Sequence, residues 1–304
     1  MHTYWRENAC QTLFTDWKKE VAMSESAQRL INKFNRIKTL PHVVTKLSGL
    51  INDENSTMKD FEDVIKMDPT LVVRLLRLVN SPYYGLAQKV DSIGRAIAFI
   101  GMKNLYSLAV TDAIKNIFTS SEDQDRIYSR KQLWMHCAAV SICSKVLAER
   151  IFGVNGDNAY LCGILHDFGI IVEEQVAGDD FTAIFDAYDF TATIDTFERQ
   201  FLGTDHCEIG YLLTRDWEMP ENVQQAIRDH HQSLDGIEPD SLTGILQIAE
   251  YLTTQLGYTI ITGAPATLSP TLTRHLQENM DEYRVLLEDL PEEMEKAQAL
   301  YGSE

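Results

Sequence analysis

Five histidines and two carboxylates in this sequence stand where helices are predicted to begin or end, or on one helix face. Together they have the composition of a metal-ligand set. His136 lies on the first turn of a helix predicted over Leu133–Arg150, and His166 and Asp167 follow directly on the apolar stretch Leu161–Leu165. His206 opens a further helix, His230 and His231 close the next, and Glu250 sits in the run Ile245–Tyr251 of the one after. Neighbours on a helix diverge by about 100°. His166 and Asp167 can therefore serve one point only if the helix ends there, or if the carboxylate bridges two ions. Imidazole with carboxylate suits Zn, Fe, Mn or Ni, and an open position on such an ion could activate water. Any one histidine is more often a satisfied core or surface residue. Buried without a cation, the rings would have to pair with backbone carbonyls or with one another, at roughly 1–3 kcal/mol for each group left unsatisfied. The set predicts that His136, His166, Asp167, His206 and His230 converge on one pocket, with His231 and Glu250 close behind.

The elements that must position them read as helix after helix. Asp68-Pro69 is a start signal, with Asp as N-cap and Pro at the first helical position. Leu71, Val72, Leu75, Leu76 and Val79 keep helical spacing behind it, up to a stop at Asn80-Ser81-Pro82. Helices are predicted before it over Pro41–Ile51 and Thr57–Lys66, the second capped by Thr57, and after it over Ser92–Ile100 and Lys103–Phe118, separated at Gly101. Residues Thr119–Arg126 (TSSEDQDR) form a polar connection and the best internal boundary. Asp157 is predicted to cap a helix running to Leu165, and Ala177–Asp180 to be a loop. Further helices are expected over Ile194–Phe201, Asp205–Trp217, Pro220–His231 and Ser241–Leu256. Another begins at Ser269-Pro270, and an acidic helical tail follows from Asp281. No alternating strand pattern, internal repeat or low-complexity tract is present, so the expected class is all-α.

The chain has 304 residues and a net charge of −18, unevenly spread. Residues 29–115 carry 13 Lys or Arg and 8 Asp or Glu, whereas residues 116–304 carry 11 and 33. Such an acidic chain repels phosphate backbones, which argues against direct nucleic-acid binding. The mildly basic N-terminal third reads first as solvated helix faces and second as a partner-facing surface. No run of 18 apolar residues exists and the N-terminus lacks an apolar signal core, so neither a membrane span nor a secretory signal is expected. Five cysteines without a CxxC pair suit a reduced, cytoplasmic compartment, with thiols acting as small buried hydrophobes.

The segment LPHVVTKLSGLINDENSTMKDFEDVIKMDPTLVVRLLRLVNSPYYG and its continuation DSIGRAIAFIGMKNLYSLAV resemble the N-terminal part of HDOD domains, the HD-related output domains. The later elements resemble the same family: Trp134 with His136, CGILHDFGII, Asp205-His206 with CEIGYLL, Trp217 with Pro220, and His230-His231. The likeness runs from about Leu30 to Gln255. It implies an HD-domain-like helical bundle with an N-terminal helical lobe: residues 26–260, divided into 26–118 and 127–260, after an extension over 1–25 and before an acidic helical segment over 261–304. HDOD domains share a helical core with HD-type metal phosphohydrolases, and many have lost the ligands.

Carried over position by position, the resemblance makes His136 the first histidine, His166 and Asp167 the HD pair, and His206, His230 and His231 the further histidines of HD-GYP phosphodiesterases. Glu250 falls where those enzymes carry a late Asp, with an arm one methylene longer. The implied cofactor is one or two divalent transition-metal ions, iron ahead of zinc or manganese, with Asp167 as the bridge if there are two. Two departures argue against the enzyme. Gly169 is followed by Ile170 rather than Lys, and after His230-His231 the chain reads QSLDGIEPDS without a GYP loop. Gln132 also replaces a Glu that some of those enzymes carry. A phosphodiester transition state needs positive charge near its non-bridging oxygens. The expectation is a signalling output module acting through protein partners. The alternatives are a metal-dependent phosphohydrolase with a nucleotide or phosphoester ligand, or a structural or sensing metal centre. The Asn80–Gly85 hallmark reads as a capped turn, and Trp134 and Trp217 as core.

Overall fold

A computed structural model of the chain describes residues 22–34, 42–81, 84–118, 129–233, 236–261, 263–264 and 266–301. The polar connection Thr119–Arg126 and most of the N-terminal extension lie outside them, as do Pro82 and Tyr83. Among the described residues there are helices and no strands, as the periodicity predicts. In chain order, α1 spans residues 22–34. Then come α2 (His42–Asn52), α3 (Met58–Ile65), α4 (Pro69–Val79), α5 (Ile93–Phe118), α6 (Arg130–Arg150), α7 (Asp157–Leu165) and α8 (Phe168–Ala177). The chain continues with α9 (Asp179–Ala187), α10 (Ile194–Leu202), α11 (His206–Asp216), α12 (Glu221–Asp229), α13 (Leu242–Gln255), α14 (Pro270–Glu278) and α15 (Met280–Tyr301).

Local chemistry sets most of the boundaries. Thr57 accepts from the Asp60 backbone N–H while Asp60 accepts from the Thr57 backbone, a reciprocal cap on α3. Asp68 Oδ1 accepts from Leu71 N at 3.0 Å, and Ser129, Asp205, Ser241 and Ser269 cap α6, α11, α13 and α14 in the same way. Asn80 ends α4. Its amide donates to Leu76 O and Val90 O, and its Oδ1 accepts from Val90 N, each at 2.7 Å, which ties the hallmark turn to the start of α5. Gly101, at φ 81° and ψ 160°, bends α5 where the sequence places a separation.

Three expectations need correction. The helix carrying His136 begins at Arg130, one turn earlier than predicted, because Ser129 caps it; His136 is therefore on its second turn. Asp157 is the first residue inside α7 rather than its cap, and its N–H donates to Asn155 Oδ1. Ala177–Asp180 is not a loop. The break is confined to Gly178, and Asp179 and Asp180 form the acidic first turn of α9, where negative charge meets the helix dipole favourably.

The apolar core is continuous from Ile31 and Phe34 in α1 to Leu290 and Met294 in α15. Trp134 and Trp217 are buried in it, packed on Phe118 and Phe168 respectively. A polar tie joins the N-terminal helices to the turn between α11 and α12. The Glu218 carbonyl accepts from Ser48 Oγ (2.6 Å) and Asn52 Nδ2 (2.8 Å), and the Tyr106 hydroxyl donates to Ser48 Oγ (3.1 Å). Glu218 holds φ 55°, an uncommon conformation for a residue with a side chain. Helices α6, α7, α8, α11, α12 and α13 pack around one another and bring their ends to the cluster described next.

Candidate metal centre

Helix α7 ends at Leu165, so His166 occupies its C-cap and Asp167 the position before α8. The turn lets both side chains point inward, as the adjacent pair requires. Two glycines make the close packing around it possible. A Cβ on Gly163 would lie 2.4 Å from Ser141 Cα of α6, and one on Gly169 only 2.2 Å from the His206 carbonyl oxygen. Backbone atoms cannot move aside for a methyl group as a flexible side chain can.

His136, His166, Asp167, His206 and His230 converge and are buried. Asp167 Oδ2 lies 3.0 Å from His166 Nε2 and 3.4 Å from His136 Nε2. Its Oδ1 lies 3.4 Å from His206 Nε2 and 3.6 Å from His230 Nε2. His231 and Glu250 flank the cluster with Nδ1 and Oε1 4.0 Å apart, and both are partly exposed. Three donor groupings result among the described residues, one of them Cys137, His166 and Asp167, and the other two lie on either side of Asp167. The ligand atoms of His136, His166 and Glu250 lie within 4.8 Å of one another, as do those of His206, Cys207, His230 and His231. Asp167 stands between them with one oxygen toward each.

What fixes the ring orientations is on the far side of each imidazole. Nδ1 of His136 donates to Tyr258 O (2.9 Å), that of His166 to Gly163 O (2.9 Å), and that of His230 to Ile227 O (2.7 Å). A carbonyl only accepts, so these three rings carry a proton on Nδ1, and in the neutral form each presents a bare Nε2 to the centre. His206 Nδ1 meets Glu198 Oε2 at 2.6 Å, and the same oxygen accepts the His206 backbone N–H at 2.9 Å. Nε2 of His136 lies 3.2 Å from that of His166, and Nε2 of His206 lies 3.3 Å from that of His230. Neutral rings in this tautomer face one another lone pair to lone pair, an arrangement that calls for a cation or an added proton between them. An outer partner on each Nδ1 and a free Nε2 inside is the geometry of histidines that bind metal, and the donor set fits a divalent transition ion.

With no cation between the rings, the charges favour added protons: burial lowers His206 and His230, but attraction to Cys207, together with Glu198 for His206 and Asp167 for His230, raises both well above the ordinary imidazole value. Burial would raise the Asp167 carboxyl, but attraction to His166 and hydrogen bonds from the surrounding imidazoles hold it well below the usual carboxylate range. Burial alone would lower His136, and its hydrogen bond and attraction to Asp167 raise it instead. Burial and the neighbouring His230 and His206 push His231 well below the usual imidazole value, so it stays a neutral ligand candidate.

Several participants are not predicted from the sequence. Glu198 and the carbonyls of Gly163, Ile227 and Tyr258 carry no motif. Cys207, expected as an inert buried thiol, places Sγ 3.5 Å from His206 Nε2. Residues beyond 260, expected as a separate acidic segment, contribute to the site's surroundings. A cleft of about 630 Å³ that opens on His136, Asp167, His231 and Glu250 is walled in part by Ile261, Ala264 and Ala266.

With the geometry established, comparison with known proteins places the chain. The HDOD domain family matches residues 37–233. An uncharacterized protein of Treponema pallidum (strain Nichols) is 28% identical over 219 residues, covering 67% of this chain and 39% of that protein. Among solved structures, a Marinobacter aquaeolei VT8 protein provisionally named for signal transduction superposes with a TM-score of 0.74 at 21% identity, over 93% of this chain and 65% of that one. An HDOD domain protein with unknown function from Geobacter sulfurreducens gives 0.61 at 23% identity, over 88% and 98%. A provisionally named phosphohydrolase from Shewanella amazonensis SB2B gives 0.60 at 25% identity, over 89% and 97%. The chain thus spans 39% of the Treponema relative's length and just under two thirds of the Marinobacter chain. Among its described residues no helix is long and apolar enough to cross a membrane. A family match across most of the helical core, on a fold shared with these structures, means that the chain belongs to the HDOD domain family.

Proposed function

We propose that this chain is a regulatory output module of signalling, acting through protein partners, with a histidine–carboxylate centre that holds one or two divalent transition-metal ions. The observation that carries the reading is the set of Nε2 atoms gathered on Asp167 while each Nδ1 is engaged outside. His136, His166 and Glu250 would hold one ion, and His206, His230 and His231 a second, with Asp167 bridging. When bound, such ions supply Lewis acidity and, at an open position, a more acidic water. The donor types suit iron, zinc and manganese alike, and iron is put first because the HD-type enzymes the sequence resembles use mixed histidine and carboxylate shells.

Against a hydrolase stands the wall of the cleft. Ile170 lines it, 2% exposed, and no Lys or Arg is among its described lining residues. Losing one transition-state contact of that kind costs about 3–4 kcal/mol, or a hundred- to a thousandfold in rate. The reading is tested by a panel of cyclic dinucleotides, nucleotides and simple phosphoesters, given to protein of measured metal content. Turnover far below about 1 per second is expected, and rates at or above that value would overturn it. The second reading, a metal-dependent phosphohydrolase, is favoured by Asp167 facing both donor groups, since two-ion sites suit phosphoryl chemistry.

The division into residues 26–118, 127–260 and 261–304 belongs to this proposal. So does a reducing, cytoplasmic location, which the free and buried Cys137, Cys143, Cys162 and Cys207 favour.

A further inference from the structure

Cys207 follows His206 in the first turn of α11 and is 3% exposed. Its Sγ lies 3.5 Å from His206 Nε2 and 3.9 Å from His230 Nε2, and those two nitrogens lie 3.3 Å apart. Asp167 Oδ1 stands 3.4 and 3.6 Å from the same two nitrogens. A tetrahedral ion has bonds of about 2.0–2.1 Å to nitrogen, 2.0–2.2 Å to oxygen and 2.3 Å to sulfur. Its ligands are then separated by about 3.3–3.4 Å for N to N, 3.3–3.5 Å for N to O and 3.5–3.6 Å for N to S. Each of the five separations lies within about 0.4 Å of its counterpart.

A hydrogen bond from the thiol leaves part of this arrangement unused. His206 and His230 engage Nδ1 with Glu198 and the Ile227 carbonyl, so in the neutral form both buried Nε2 atoms are bare and face the same space. A thiol has one proton, which serves one of these nitrogens and leaves the other unpaired. An ion serves both nitrogens, the carboxylate oxygen and the sulfur together. Protons added to the rings are the rival, and metal loading decides between them.

We propose that Cys207 is a metal ligand, its thiolate joining His206, His230 and Asp167 in a four-coordinate site for a divalent ion such as zinc or ferrous iron. The proposal rests on the metal reading of the centre and alters its second position, where His231, partly exposed beside Glu250, becomes a flanking residue. Binding releases the thiol proton to solvent and forms a metal–sulfur bond from the sulfur lone pair, with no change of oxidation state. Sulfur sets this position against manganese, which prefers oxygen donors. Four protein donors close a tetrahedral ion, whereas a catalytic ion keeps one position for water. The ion at Cys207 therefore ties the start of α8 to α11 and to the end of α12 and activates no water, in keeping with an output module.

The test strips the 304-residue chain with a chelator, reloads it with cobalt(II) and follows its absorption. Wild-type protein should show a sulfur-to-cobalt charge-transfer band in the near ultraviolet. Cys207→Ser should lose that band and hold cobalt at least about tenfold more weakly, no less than the loss of an outer partner costs. Cys137→Ser removes the thiol grouped with His166 and Asp167, and it should keep the band. Circular dichroism verifies both folds. X-ray absorption on zinc-loaded wild-type protein needs no variant, and it should show sulfur at about 2.3 Å beside nitrogen and oxygen at about 2.0–2.2 Å. Cobalt bound without a sulfur band, zinc with nitrogen and oxygen neighbours alone, or a band that follows Cys137 overturns this proposal and leaves the metal centre standing. A protein that takes up neither cobalt nor zinc sinks the metal reading, and this inference with it.

Discussion

Replacing Glu198 with Ala removes no ligand, yet it should weaken metal binding. Glu198 is 2% exposed on α10, and its Oε2 accepts both His206 Nδ1–H at 2.6 Å and the His206 backbone N–H at 2.9 Å. With that oxygen gone, the His206 ring is free to rotate and to place its proton on Nε2, where a metal should sit. Loss of such an outer partner lowers metal affinity by about ten- to a hundredfold, or roughly 1.4–2.7 kcal/mol. The two orphaned N–H groups should also lower folding stability by about 1–3 kcal/mol each if they find no new acceptor. Asp205 still caps α11 through the Glu208 N–H, so the helix should survive. The assay is competition with a chromophoric chelator, with circular dichroism to verify the fold. Glu198→Gln keeps one acceptor but loses the charge, so its affinity should fall between wild type and Glu198→Ala. A folded Glu198→Ala protein that binds metal within about twofold of wild type would refute the idea that the outer partners set the ring orientations.

Two further changes probe the same architecture. Gly169→Ala places a Cβ 2.2 Å from the His206 carbonyl oxygen and must push α8 from α11. It should cost about 1–3 kcal/mol or more in chemical denaturation and lower metal content with every ligand atom unchanged. Glu173 is fully buried on α8, neither of its oxygens has a hydrogen-bond partner among the described residues, and burial, helped by Glu198, raises its pKa well above the ordinary value of 4.5. The folded state therefore holds a proton that the unfolded chain releases, so this residue makes stability fall as pH rises above 4.5. Glu173→Gln should flatten the fall in stability as pH rises above 4.5 in denaturant titrations. An unchanged slope would mean that Glu173 is ionised in the fold.

What the sequence makes legible here is local chemistry and rare residue types. Thr57, Asp68, Ser241 and Ser269 announce helix starts because a side-chain cap acts within three residues of itself. His136, His166, Asp167, His206 and His230 can be picked out because nothing in local helix formation calls for an imidazole at each position. Their supports cannot be picked out. The acceptors for His136, His166 and His230 are backbone carbonyls, which any residue carries. Tyr258 reaches His136 across 122 positions of chain. Glu198 lies eight residues before His206, beyond the reach of any helix-face pattern, since α10 ends between them. The loop expected over Ala177–Asp180 fails for a different reason. Its acidity reads as solvated loop, whereas Asp179 and Asp180 serve the N-terminus of α9 after a one-residue break at Gly178. The cleft beside the donor cluster is not predicted either, because its walls come from α6, α8, α9, α10, α13 and the connections after α12 and α13.

The most direct test of the account is elemental analysis of the protein purified without chelators, beside His166→Ala and Asp167→Ala, with melting temperatures on the same samples. Metal binding is linked to folding, so removal of a ligand should lower both together. The account predicts one or two equivalents of a transition metal in the wild type, iron before zinc or manganese. Both variants should contain less metal and melt lower, and stripping wild-type protein with a chelator should lower its melting temperature toward theirs. Wild-type protein with no transition metal above background, none taken up on addition, and a melting temperature indifferent to chelator would contradict it. The converging imidazoles would then be a protonated polar core.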